Sequence, residues 1–290
     1  MIRADSVLLG GTSMSRIIIF TGLALLFQQI DCVAEDQPAS PLSANVTLVS
    51  DYVSRGLSLS WGEPALQGGI DYSDVWGGYA GVWASQISDR YYARGVAELD
   101  LYGGYRGAIN NSSNYDIGLG AYFYPGANYQ EAIPKGSYPE KKYDTVEAIL
   151  GMTWSWLNLK CSYTLTDYFG YDGDTVPYSL WNNGVIGGVE AGQNTRGSVY
   201  WEANGTFDLG EGYSFGAHAG RQTVSHSEGL SYNDYKLSLS KLLFNNWIAM
   251  MAVTTTQGAE LYNQFMAVDG SSKTRDIGSQ HFVLSISNSF

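Results

Sequence analysis

From Asn45 to Phe290, apolar and polar residues alternate with a period of two. That is the period of a strand, whose successive side chains point to opposite faces. The clearest stretch is the last one. In 281–290 the even positions read Phe, Leu, Ile, Asn, Phe, and the odd positions read His, Val, Ser, Ser, Ser. Twelve such segments follow one another. The first sets Val46, Leu48 and Tyr52 against Thr47, Asp51 and Arg55, and predicts one strand reaching Arg55. Later ones set Leu66, Ile70 and Tyr72 against Gln67 and Asp71, and Leu99, Leu101 and Tyr105 against Glu98, Asp100 and Arg106. Ile117 and Leu119 oppose Asp116, Leu150 opposes Glu147, and Leu159 opposes Lys160. Trp201 opposes Glu202, and Leu237 opposes Asp234 and Lys236. Segments 76–87 and 247–255 also read as strands, but aromatics and small residues on both faces leave their facing open.

Each segment has about ten residues, the length a tilted strand needs to cross a bilayer. The connections alternate as well. The turns near Asp74, Asn110, Ser155, Glu211 and Asn245 are short, whereas 127–142, 168–197 and 258–275 are long. Short turns on one rim and long loops on the other are the pattern of an outer-membrane barrel, and an even strand count leaves both chain ends on the short-turn rim. The expected fold is therefore all-β, a transmembrane antiparallel up-and-down barrel of twelve strands over 45–290. Its greasy faces, including Phe282, Leu284, Ile286 and Phe290, would look out to membrane lipid. A soluble sandwich would turn the same faces inward, and gives no reason for loops to segregate.

Composition narrows the partners. The 290 residues carry 16 Lys and Arg against 28 Asp and Glu, a net charge of −12, which argues against nucleic acid, whose phosphates call for a basic surface. With 35 Gly, 22 Tyr and only 15% charged residues, the chain suits strands that are not solvated on every side. Residues 1–34 read as an export leader. Arg16 precedes the apolar run 17–27, too short to span a membrane, and Cys32-Val33-Ala34 supplies small residues for cleavage after Ala34. Met14 is the expected start, residues 35–44 a short periplasmic segment, and Cys161 the cysteine left after cleavage. A lipid-anchored Cys32 is the lesser alternative.

The stretch Leu48-Val49-Ser50-Asp51-Tyr52-Val53-Ser54-Arg55-Gly56-Leu57-Ser58 resembles the opening motif of the TorF-type porins, a bacterial family named for a Gly-Cys-Trp-like signature. The likeness continues through 64–72, 77–83, 98–105 and 115–118, so its motif-dense part covers 45–126. The closing strand, ending on Phe290, is similar to that of bacterial outer-membrane proteins. The resemblance implies a barrel in the bacterial outer membrane acting as a porin. Its partners would be outer-membrane lipid and lipopolysaccharide, the barrel-assembly machinery through the C-terminal strand, and small solutes or ions. It implies no substrate and no oligomeric state.

By parity the inward faces carry Asp51, Asp71, Glu98, Asp100, Asp116, Glu147, Glu202 and Asp234, joined by Arg55, Arg106, Lys160 and Lys236. Eight acids against four bases predict a lumen that favours cations or basic solutes, because like charges around a pore bias passage. The alternative is that these residues pair into a buried ion network that closes a narrow barrel. Most aromatics read as girdle residues. Those in the loops (Tyr129, Tyr138, Tyr171, Tyr178, Trp181 and Tyr262) are candidates for contact with ligand or lipopolysaccharide. Enzymatic, metal and cofactor readings are thin. His226 lies between Ser225 and Ser227 outside any hydrolase motif, and Asp172-Gly173-Asp174 reads more simply as a solvated turn than as a calcium loop.

Overall fold

The computed structural model describes residues 40–177, 180–182, 185–227 and 229–290. The expected leader with its cleavage point after Ala34 lies outside the described residues, as do Cys32, residues 35–39, Tyr178 and the side chain of Trp181.

The chain opens with β1 (Leu42–Val49) and a small hairpin, β2 (Val53–Ser54) and β3 (Leu57–Ser58). Then come β4 (Ala65–Ser73), β5 (Gly78–Gln86), β6 (Ala97–Asn110), β7 (Ser113–Phe123), β8 (Thr145–Trp154) and β9 (Leu157–Thr164). A loop hairpin, β10 (Leu180–Asn182) and β11 (Val185–Gly187), precedes β12 (Val199–Gly210), β13 (Tyr213–Thr223), β14 (Tyr232–Leu242) and β15 (Ile248–Gln257). A second loop ribbon, β16 (Phe265–Met266) and β17 (Thr274–Arg275), leads into β18 (His281–Ser289).

Twelve of these strands form one closed antiparallel barrel in which chain neighbours are also sheet neighbours. Closure runs through β1, whose Leu48 lies opposite Ile286 of β18 on one side and Leu66 of β4 on the other. A closed ladder leaves no strand edge with unpaired N–H and C=O groups, the condition lipid imposes on a spanning sheet. The fold is thus the twelve-stranded up-and-down barrel expected from the alternation.

The period-two pattern sorts the wall. Leu48, Leu66, Leu101, Ile117, Leu150, Trp201, Leu237 and Met251 are exposed on the outside, while Thr47, Gln67, Asp100, Glu147, Glu202, Asp234 and Thr254 are buried inside. In β5 the odd positions point inward: Trp83 and Ser85 are buried, whereas Ala84 and Gln86 are exposed. In β15 the even positions do so, with Ile248, Ala252 and Thr254 buried. Aromatics gather on the outer wall at the short-turn end. Trp76 stacks on Tyr105 at 6.1 Å, and Trp156 packs on Phe207 at 5.0 Å.

The first segment departs from expectation. β1 stops at Val49, and the chain turns back through a two-residue turn at Arg55 and Gly56 with positive φ at both (46° and 79°). A turn of this hand joins antiparallel strands tightly, so Asp51 and Arg55 do not share a strand face, and Tyr52 is buried rather than outward. The loop aromatics depart likewise. Tyr129, Tyr171 and Tyr262 are 5%, 8% and 2% exposed and belong to a buried aromatic cluster at the long-loop end, against which Tyr138 packs. Apolar ring area withdrawn from water inside the rim outweighs display at the surface.

Candidate functional site

The polar inner wall and the β2–β3 hairpin make up the site. The hairpin is held at its base by Asp51, whose Oδ1 accepts from Ser58 Oγ at 2.6 Å, Ser60 Oγ at 3.0 Å and the Gly62 amide at 3.2 Å. Its Oδ2 faces His281 Nδ1 at 3.1 Å. Burial pushes the Asp51 carboxyl up, but the hydrogen bonds from His281 and Ser58 and the charge of His281 prevail and hold it below its ordinary value.

The hairpin tip reaches both walls of the barrel. Arg55 Nη1 and Nη2 donate to Glu147 Oε1 and Oε2 of β8 at 3.0 and 2.6 Å, and Nη1 also donates to Gln222 Oε1 of β13 at 3.1 Å. Its guanidinium carbon lies 4.5 Å from the ring centroid of Tyr200 on β12. Gly56 abuts the opposite side: a Cβ there would come within 2.7 Å of Asp234 Cβ and 2.6 Å of Thr256 Cγ2. Only glycine fits at that φ and that approach.

The remaining inward charges divide into two sectors. On β4 to β8, Glu98 and Asp100 are each 2% exposed, beside Tyr52, Trp83, Tyr122 and Tyr124, and Tyr124 donates to Glu98 Oε1 at 3.2 Å. Asp71 accepts a hydrogen bond from Tyr102. Further toward the short-turn rim, Arg106 Nε donates to Asp116 Oδ2 at 2.8 Å and its guanidinium lies over the Tyr79 ring at 4.2 Å, while Tyr79 donates to Asp116 Oδ1 at 2.6 Å. With Glu147 that sector has five acids against Arg106 and the hairpin's Arg55. The facing sector on β9 to β14 is balanced. Lys160 pairs with Glu202 at 2.5 Å, and Lys236 stands near Glu202 and Asp234. His218 faces Asn204 Oδ1 at 2.7 Å through Nδ1 and Asp234 Oδ1 at 2.8 Å through Nε2. Phe282, Leu284, Ile286 and Phe290 stand on the outer wall, 77%, 61%, 40% and 75% exposed.

The structure gathers the inward charges but separates Asp51 from Arg55, which act in different networks. Sequence reasoning missed Gln222 and Tyr200 as partners of Arg55; the Arg55-Gly56 dipeptide was the available sign of a turn. It also missed the pairing of His281 with Asp51. Both nitrogens of His281 are engaged, by Asp51 and by the Ile277 carbonyl, and His226 Nδ1 meets the Asn194 carbonyl. Asp172 Oδ1 accepts from the Asp174 and Thr175 amides, and its Oδ2 pairs with Lys141 at 2.5 Å, so the loop carboxylate is committed to its own turn. Among the described residues, no group of three or more His, Cys, Asp or Glu is placed to hold a metal ion.

A family model described as "Bacterial protein of unknown function (Gcw_chp)" matches residues 34–290. A comparison with curated protein sequences found no match. Among solved structures, the KdgM porin in complex with disordered oligogalacturonate is similar at 8% identity and a TM-score of 0.47, covering 86% of this chain and 98% of that one. The NanC porin is similar at 9% identity and a TM-score of 0.47, covering 85% and 98%. An outer-membrane channel from Pseudomonas putida F1 is similar at 10% identity and a TM-score of 0.43, covering 88% and 96%. A closed barrel with an apolar outer wall, aromatic girdling and loops segregated by rim is the architecture of a bacterial outer-membrane protein.

Proposed function

The chain belongs to the Gcw_chp family of bacterial proteins, and from that premise we propose that it is an outer-membrane channel through which small hydrophilic solutes diffuse passively, with a preference for cations. The observation that carries this reading is the asymmetry of the inner wall. Asp71, Glu98, Asp100, Asp116 and Glu147 run from the loop end toward the turn end of one wall, and among the described residues Arg55 and Arg106 answer them there. Carboxylates inside a low-dielectric cylinder repel anions and lower the barrier for cations. The long loops narrow the entrance, and no catalytic role is part of the proposal.

The second reading, a non-conducting surface barrel used in adhesion or envelope structure, draws on a specific observation. The β2–β3 hairpin and the tyrosine cluster pack the loop-end half of the interior. Liposome swelling separates the two. Vesicles carrying refolded protein are expected to swell in an iso-osmotic pentose or amino-acid solution faster than empty vesicles. Swelling no faster than that of empty vesicles supports the closed barrel.

A further inference from the structure

The partners of Arg55 are what a guanidinium group asks for from any molecule. Glu147 offers two oxygens to two parallel N–H groups, a fork on a fork, and Gln222 offers a third acceptor. Tyr200 presents a ring face to the planar cation. The cage is built and dry: the Glu147 side chain is 1% exposed, and Gln222 is fully buried. A point-like ammonium could not use both oxygens and the ring together.

Two further observations show that Arg55 neither suits its own backbone nor satisfies its surroundings. It holds a φ of 46° in a turn position that Asn, Asp or Gly occupies at less cost. Beside it the buried carboxyl groups of Glu98 and Asp100 lie against each other, with Tyr124 donating to Glu98 and neither in an ion pair among the described residues. One guanidinium thus serves three buried carboxyl groups, and its ion pair goes to one of them, Glu147.

We propose that the Glu147–Gln222–Tyr200 cage is a binding site for the guanidinium group of basic solutes, which Arg55 occupies as a tethered competitor. The proposal rests on the channel reading only for how the solute arrives. A free guanidinium solute displaces Arg55, lets the hairpin leave its crossing between β8 and β14, and opens the interior to its own class of substrate.

The test uses the full mature barrel refolded in detergent: wild type, Arg55→Ala, and Arg55→Ala with Glu147→Gln. Heat unfolding is followed with guanidinium chloride at low millimolar concentration, far below denaturing levels, against equal potassium chloride. Guanidinium is expected to raise the Tm of Arg55→Ala by about 2–4 °C, potassium to leave it unchanged, and the double variant not to respond. In wild type the tethered arginine should demand at least roughly tenfold more guanidinium, because it competes for the same atoms. If Arg55→Ala does not refold, guanidinium added during refolding should restore the barrel; Arg55→Met, which keeps the stem, is the second variant. No rise or recovery in either variant, an equal response to potassium, or a response that survives Glu147→Gln overturns the site. Bilayer recordings keep the two readings apart. A guanidinium response with silent bilayers removes the channel and leaves the site, while a conducting Arg55→Ala barrel indifferent to guanidinium removes the site and leaves the channel.

Discussion

Placing an arginine on the outer wall tests where the hydrocarbon lies. Leu237 is 51% exposed and stands opposite Ala217 of β13 and Val253 of β15. It is the middle of five outward positions on β14, between Asn233 at the loop end and Lys241 at the turn end. The eight residue steps from Asn233 to Lys241, at about 3.4 Å each, span about 27 Å. A tilt of about 40° projects this to about 21 Å along the barrel axis, close to the height of an outer-membrane apolar band. Leu237 therefore sits near the bilayer midplane. Leu237→Arg should cost about 2–4 kcal/mol of folding free energy in lipid, whereas Asn233→Arg at the rim should cost about 0–1 kcal/mol. Reversible urea unfolding in lipid vesicles, followed by tryptophan fluorescence, measures both. Equal costs at the two positions, or no cost at Leu237, would refute the assignment of lipid to the outer wall.

Three further outcomes are expected. Leu284→Asp on the outer wall should impair membrane insertion, while Ser285→Asp on the opposite face should be tolerated; equal yields in the membrane fraction would contradict the facing of β18. The Asp51 carboxyl is held below its ordinary value in the folded barrel, so its contribution is complete above an unfolded value of about 3.9 and is lost as pH falls through the lowered folded value. Proteolysis of the 50–64 loop should accordingly rise only in that acid window for wild type, and already at neutral pH for Asp51→Asn. Gly56→Ala puts a Cβ against Asp234 and Thr256 at a φ of 79°, and should displace the hairpin at a cost of about 1 kcal/mol or more. It should enlarge the unit conductance, and an unchanged conductance would show that the hairpin does not narrow the path.

The barrel was legible because lipid outside and polar groups inside impose one rule on every strand. Leu101 against Asp100, or Leu150 against Glu147, repeats what His281 to Phe290 shows most plainly. That rule fails where a strand ends and another geometry keeps the same spacing. Thr47, Asp51 and Arg55 fall in step with β1, although the chain has left the sheet after Val49. Period two cannot distinguish a strand that continues from one that folds back through a two-residue turn. Trp83 was unreadable for a different reason. Aromatics occupy the outer girdle and also the interior, where Trp83 packs edge-on against Tyr52 at 5.5 Å. The inward fold of Tyr129, Tyr171 and Tyr262 depends on loops meeting across the rim, as in the pairing of Tyr91 with Tyr171 at 3.2 Å, which no local pattern encodes. The partners of Arg55 lie 92 and 167 residues away along the chain, beyond any motif.

An interior that forms a water-filled path with an acidic wall should pass cations through single barrels. Planar bilayers holding single copies of the refolded mature barrel across a potassium chloride gradient measure this. Stepwise currents are expected, with a reversal potential displaced toward the potassium equilibrium and moved back toward zero by Asp71→Asn with Asp116→Asn. Silent membranes from folded protein, or a reversal potential on the chloride side, would contradict it.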